Sequence, residues 1–204
     1  MKNFINISDH SSSDLRAIID EAKTRKLSRK GFNKSAPDDD KPFEGKSMAM
    51  IFEKPSTRTR MSFDIAAKQL GGSSIILNPD GIHYGKGDET LKDTAKVLTE
   101  YVDIVMLRTS SHKNLEEFGK HLDIPIINGL SDKSHPCQIM SDILTYEESN
   151  GLITGKTVSW LGDGDNNMSN SLIEAAGKFK FNLRIGCPKK YAPGKEILLS
   201  LIHI

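Results

Sequence analysis

From residue 47 onward, short apolar runs alternate with helix-periodic segments, and this alternation constrains the fold more than any other feature of the chain. Ser47–Phe52 reads as a buried strand, Arg58–Leu70 as a helix stopped by Gly71 and Gly72, and Ser74–Leu77 as a strand. Glu89–Val102 carries Leu91, Ala95, Leu98 and Val102 on one helical stripe. Asp103–Leu107 (strand), Asn114–Leu122 (helix) and Ile124–Ile127 (strand) continue the series. Pro136 suits the first position of a helix running to about Glu148. The series restarts after Gly151 with strand Lys156–Leu161, helix Asn166–Phe179 and strand Asn182–Gly186. Strand and helix in strict turn imply an α/β fold, a parallel sheet flanked by helices.

An earlier helix is expected at Ser13–Arg29, with Leu15, Ile18, Ile19 and Ala22 at helical spacing, and the polar stretch Asn33–Lys41 reads as a solvated loop. The domain boundary falls near Asn150-Gly151. Residues 1–150 then form a complete first domain, whose last helix, 136–149, bridges to the start of a second, Rossmann-like domain at 151–204. Two strands and one full helix are too few to cover a sheet on both faces, and the apolar run Ile197–Ile204 has no stop signal. The second domain is therefore expected to be incomplete.

Basic and acidic residues nearly cancel, 28 against 27. That balance argues against a nucleic-acid or anionic membrane partner and for a small-molecule ligand. Cys137 and Cys187 are too few for a disulfide framework or a zinc site. No apolar run approaches the length of a membrane span, and the N-terminus lacks the layout of a secretory signal. A cytoplasmic protein is expected.

The sharpest chemical signal is Phe52-Glu53-Lys54-Pro55-Ser56-Thr57-Arg58-Thr59-Arg60, where a strand hands over to a helix. Ligands of parallel sheets bind beyond the carboxyl ends of the strands, where the first amides of the next helix are unpaired and attract anions. Ser56, Thr57 and Thr59 add hydroxyls, and Arg58 adds a charged fork suited to phosphate oxygens. The plain alternative is a capped helix start with surface arginines. His135-Pro136-Cys137-Gln138 begins another helix on the same expected rim, with a histidine able to stabilise developing negative charge and an amide that donates and accepts. Arg108, directly after the strand DIVML, is the third group expected there.

These motifs resemble the aspartate and ornithine carbamoyltransferase family, which shares Ser-Thr-Arg-Thr-Arg, then Arg after a strand, then His-Pro-x-Gln. Lys54, Cys137 and the segment Trp160-Leu-Gly-Asp-Gly-Asp-Asn-Asn-Met-Ser-Asn-Ser171 look like the ornithine branch. The resemblance implies a carbamoyl phosphate domain over residues 1–150 and an ornithine domain beginning at 151. It implies that Ser56, Thr57, Arg58 and Thr59 bind phosphate, with Pro136 and Cys137 part of the same carbamoyl phosphate site. Arg108 would span phosphate and carbonyl oxygen, and His135 and Thr59 would help polarise that carbonyl. Gln138 would hold the carbamoyl NH₂. Arg58, Arg108 and His135 are the catalytic set so implied. Asn167 would hold the amino-acid end of ornithine, although Asp165 reads as a one-residue insertion beside it. The resemblance further implies no metal, no cofactor, no covalent enzyme intermediate and a homotrimer, in which the loop Asn78–Asp88 reaches a neighbouring subunit through His83 or Lys86. That loop reads equally well as a flexible surface segment.

Three other readings stand beside this one. The acceptor could be aspartate, putrescine or an acylated ornithine, or the chain could bind carbamoyl phosphate without catalysis. A nucleotide-binding Rossmann protein would need more than the G-x-G of Gly162-Asp163-Gly164 and an acidic residue near Arg184, where LRIGCP stands. The family's further acceptor contacts (an Asp before Ser-Met-Gly, His-Cys-Leu-Pro and a late Arg) and its closing C-terminal helix do not occur in these 204 residues. The purified chain is therefore expected to form little or no citrulline from carbamoyl phosphate and ornithine; a colorimetric citrulline assay showing near-normal turnover would contradict this.

Overall fold

The computed structural model describes residues 3–78 and 90–200, the side chain of Ser200 excepted. The chain divides into two compact units, Met1–Ile5 with Arg25–Ser131 and Asn6–Thr24 with Asp132–Ile204. The division falls inside the first helix, α1 (Ser12–Ser28).

In the first unit, strands β1 (Ser47–Phe52), β2 (Ser73–Leu77), β3 (Ile104–Arg108) and β4 (Ile126–Leu130) form one sheet in the order β2-β1-β3-β4. Every pairing within it is parallel. Because side chains alternate along a strand, the central strands feed two separate apolar layers. Ala49, Ile51, Val105, Leu107 and Ile126 pack with Ala95 and Leu98 of α3 (Leu91–Tyr101) and with Leu115 and Phe118 of α4 (His112–His121). On the other face Met48, Met50, Phe52 and Met106 pack with Phe43 and with Phe63 of α2 (Thr57–Gln69). The sheet is covered on both sides, as the alternation implied.

Element ends differ from expectation where local chemistry intervenes. Pro125 has no amide to donate, so β4 starts at Ile126 and runs on to Leu130. A Cβ on Gly129 inside it would run into the sulfur of Met106, which would have to shift to make room. Helix α4 begins two residues earlier than expected because the Ser111 hydroxyl accepts from the Asn114 amide. Arg108 is the last residue of β3, not the first residue after it. Helix α3 starts behind Thr90, which forms a capping box with Asp93; the expected start at Glu89 lies outside the described residues.

The stretch 33–41 is not simply solvated. Asp38 is buried because Arg25, in the last turn of α1, and Arg29, just after it, both bond its carboxylate, and its amide donates to Gln69 O at 2.7 Å. Arg25 also forks onto Asp40.

The second unit contains α5 (Pro136–Asn150), β5 (Thr157–Leu161), α6 (Asn167–Phe179), β6 (Asn182–Gly186), a 3-10 turn at Lys189–Tyr191 and α7 (Lys195–Ser200). Strands β5 and β6 pair in parallel as a two-stranded sheet. Helix α6 buries Ile173, Ala176 and Phe179 and packs on α5 and β6, whereas Leu161 of β5 stays 83% exposed.

One charged cluster inside this unit anchors the start of α1. Arg16 grips Glu147 of α5 with two bonds of 2.8 and 2.9 Å, Lys23 adds one of 2.6 Å, and the Ile153 amide donates at 3.1 Å. Burial by itself would raise the Glu147 pKa, but these donors prevail and hold it at about 2, below the ordinary 4.5. A carboxylate with a depressed folded-state pKa contributes stability above its unfolded value and loses it as pH falls toward the folded one. Glu147→Gln is therefore expected to lower the thermal midpoint at pH 7, with the gap from wild type closing between pH 4.5 and 2; a gap independent of pH in calorimetric melts would contradict this.

Candidate functional site

Register alone brings two of the sequence-identified segments together. Phe52, the end of β1, pairs with Arg108, the end of β3, so the loop Glu53–Ser56 and Arg108 leave the sheet side by side. Ser56 is the N-cap of α2, and its hydroxyl accepts from the Thr59 amide at 3.3 Å. Thr57 and Arg58 are the first two helical residues, where backbone amides have no intrahelical acceptor. Both are exposed, and Ser56 and Thr59 are half-buried.

Arg108 reaches across this helix start and donates from Nη1 to Thr59 Oγ1 at 3.4 Å. Burial, and then the charge of Arg58 close by, lower its pKa from the usual guanidinium value. It stays protonated at any working pH, so the shift registers a cost of holding two cations together in partial desolvation. Among the described residues no carboxylate pairs with either guanidinium, and the buried Nε of Arg108 has no partner. Two like charges, free amides and a helix N-terminus, unpaired with any carboxylate among the described residues, form a site that an anion would relieve.

Arg60 plays a different part. Its guanidinium lies 5.3 Å from the Phe52 ring centroid and donates to Asn78 Oδ1 at 3.1 Å, so it packs the base of the site. The expected contributors His83 and Lys86 lie outside the described residues.

His135, Pro136, Cys137, Gln138 and Asn167 belong to the second unit. His135 is the N-cap of α5, followed by Pro136 at its first turn, and its amide donates to Ser171 Oγ at 2.9 Å. Gln138 is exposed, and its amide nitrogen donates to Asp142 Oδ1 one turn on, at 2.9 Å. It keeps its carbonyl oxygen and a second N–H to offer. Cys137 is half-buried as a residue, and burial pushes its thiol up to about 12, so it is a neutral group and no nucleophile. The two asparagines differ sharply in role. Asn166 is committed to capping α6, its side chain accepting from Met168 and Ser169 amides at 2.9 and 3.1 Å, and Asn167 is the first residue of the helix.

Sequence reasoning overlooked Glu53 and Thr109. The Glu53 carboxylate accepts from the buried Thr109 hydroxyl at 2.6 Å, and the Glu53 amide donates to Arg108 O at 2.9 Å. A glutamate inside a basic motif gave a sequence signal of charge but none of partner.

Among the described residues no group of three or more His, Cys, Asp or Glu could hold a metal ion, and no helix is long and apolar enough to cross a membrane.

Residues 2–148 match the carbamoyl-P binding domain of aspartate/ornithine carbamoyltransferases, and residues 154–203 match the Asp/Orn binding domain of the same proteins. Ornithine carbamoyltransferase of Ruegeria pomeroyi is 48% identical over 198 residues, covering 97% of this chain and 64% of that protein. The Brucella ovis enzyme of the same name is also 48% identical, with 97% and 61% covered. Among solved structures, ornithine carbamoyltransferase from Pyrococcus furiosus superposes with a TM-score of 0.91 at 38% identity, over 98% of this chain and 62% of that one. The Thermus thermophilus enzyme gives 0.87 at 34%, over 98% and 66%. The chain thus spans less than two thirds of the length of these relatives.

The geometry predicts that inorganic phosphate binds at the β1–β3 end. In titration calorimetry Arg58→Ala and Arg108→Ala should each weaken it about tenfold or more, the worth of a charged hydrogen bond of about 1.5–3 kcal/mol. Added NaCl should weaken it further. Equal affinity in all three proteins would contradict the assignment.

Proposed function

This chain belongs to the aspartate/ornithine carbamoyltransferase family, and from that premise we propose that it transfers the carbamoyl group of carbamoyl phosphate to the δ-amine of L-ornithine, giving L-citrulline and phosphate. The observation that carries this reading is the pair Arg58 and Arg108, close together beside the open amides of α2, with no carboxylate paired to either among the described residues. Such a pair suits a doubly charged phosphate better than a neutral ligand.

In this reading Ser56, Thr57, Arg58 and Thr59 take the phosphate oxygens, and Arg108, already bonded to Thr59, bridges phosphate and carbonyl oxygen. His135 joins them in polarising the carbonyl, with Pro136 and Cys137 completing the helix start that carries it. The Gln138 carbonyl oxygen, left over by its bond to Asp142, suits the carbamoyl NH₂ as an acceptor. Asn167 holds the amino-acid end of ornithine, which agrees with Asn166 being spent on the cap.

The neutral δ-amine attacks the carbamoyl carbon, forming a C–N bond and a tetrahedral oxyanion. Collapse breaks the C–O bond to phosphate, which departs with the proton from the amine. Arg108, Thr59 and His135 donate to the oxygen on which negative charge develops, the arrangement that lowers such barriers most. Positioning of both reactants supplies the rest.

The names of the relatives favour ornithine over aspartate or putrescine as acceptor. Residues 1–150, with the helix at 136–149 as a bridge, serve as the carbamoyl phosphate domain in this proposal, and 151–204 as the beginning of the ornithine domain. A cytoplasmic homotrimer in arginine biosynthesis is the setting that goes with it.

Chromatography of reactions containing carbamoyl phosphate with ornithine, aspartate or putrescine tests the reading. Citrulline should be the product, however slowly formed, and Arg108→Ala should cut its rate by about 10²–10³-fold, as loss of one oxyanion donor does. Carbamoyl aspartate or carbamoylputrescine in its place would overturn the choice of acceptor, and failure of carbamoyl phosphate to bind in calorimetry would overturn the whole.

A further inference from the structure

We propose that Glu53 is a positioning residue that holds Arg108 in place at the anion site through Thr109 and Ser110, acting by the geometry of one oxygen and not by its charge. The inference rests on the carbamoyl phosphate reading above and deepens it.

The carboxylate follows directly on β1 and lies on the same segment as Arg58, yet it forms no ion pair with Arg58 or Arg108 among the described residues. It turns to the turn after β3. Glu53 Oε2 accepts from the Thr109 hydroxyl at 2.6 Å and from the Ser110 amide at 3.3 Å. The Glu53 amide meanwhile donates to the carbonyl of Arg108 at 2.9 Å. Thr109 is fully buried; its one hydroxyl proton goes to Glu53, whose carboxylate oxygen can only accept, and its own oxygen accepts from the Ser111 amide at 3.0 Å. On the far side the Thr109 amide donates to Leu130 O at 2.9 Å, at the end of β4.

Arg108 is thus the last strand residue before a turn tied to β1 on one side and β4 on the other. Its long side chain can aim at Thr59 reproducibly only if that backbone is held, since an unheld arginine loses its donors to rotamer freedom. Both bonds land on a single oxygen, so a neutral amide oxygen can accept them as well. A role in pairing with the arginines, or in moving a proton, would need the negative charge. Glu53→Gln separates the two.

The experiment is titration of the purified chain with inorganic phosphate, with thermal melts recorded in parallel. Glu53→Ala and Thr109→Val should each raise the Kd about tenfold, the loss expected when a hydrogen bond to a charged group is removed. The double variant should be no weaker than either single one, because both cut the same link. Glu53→Gln should keep the wild-type Kd. Gln as damaging as Ala, unchanged binding in Ala and Val, or additive losses in the double variant would each overturn the inference while leaving the reading of the site intact. Should Glu53→Ala fail to fold, Thr109→Val decides alone: wild-type affinity in it overturns the inference. A wild-type chain that does not bind phosphate overturns the carbamoyl phosphate reading, and this inference with it.

Discussion

The parallel pairing of β1 with β3 is the constraint from which the site follows. Their register sets Phe52 opposite Arg108, so both strands end at the same level and their outgoing loops are neighbours. Sequence separation makes this pairing costly to close, and it is held by residues on both faces at once: Ala49, Ile51, Val105 and Leu107 in one layer, Met48, Met50, Phe52 and Met106 in the other. A one-residue slip would exchange those layers and carry Arg108 away from Thr59.

Held this way, the rim stores electrostatic work. Burial and then the charge of Arg58 lower the Arg108 pKa, and neither arginine pairs with a carboxylate among the described residues, although acidic residues are nearly as plentiful as basic ones in the chain. Two buried carboxylates elsewhere are paired with cations. Asp38 is gripped by Arg25 and Arg29, and Glu147 by Arg16 and Lys23. The contrast separates charge used to build the fold from charge left over for a ligand. Glu53 sits at the border: it is acidic, next to the arginines, and spent on hydroxyl and amide donors instead.

Much of the architecture was legible because period and punctuation are local properties. The strands Ser47–Phe52 and Asn182–Gly186 and the helix start at Pro136 were read to the residue, since apolar runs and a proline at the first helical position announce themselves. The candidate phosphate cradle was legible for a similar reason: Ser56 as cap and Arg58 in the first turn are consequences of local spacing. Ends set by a neighbour were misjudged. The extent of β4 depends on the strand beside it and on the space Met106 leaves at Gly129, and the stretch 33–41 is fixed by arginines at and just beyond the end of a preceding helix.

The chain's own order of residues determined that it would build parallel α/β units, where the helix starts fall, and that a cluster of hydroxyls and arginines would stand at one of them. Tertiary structure alone decided which partner each charge would take. Nothing in the string Phe-Glu-Lys-Pro-Ser-Thr-Arg says that Glu53 bonds Thr109 or that Arg108 bonds Thr59, because those contacts span 56 and 49 residues. Helical and strand periods act over a few residues, whereas the choice of an ion's partner is made only after strands have paired and water has been excluded around it.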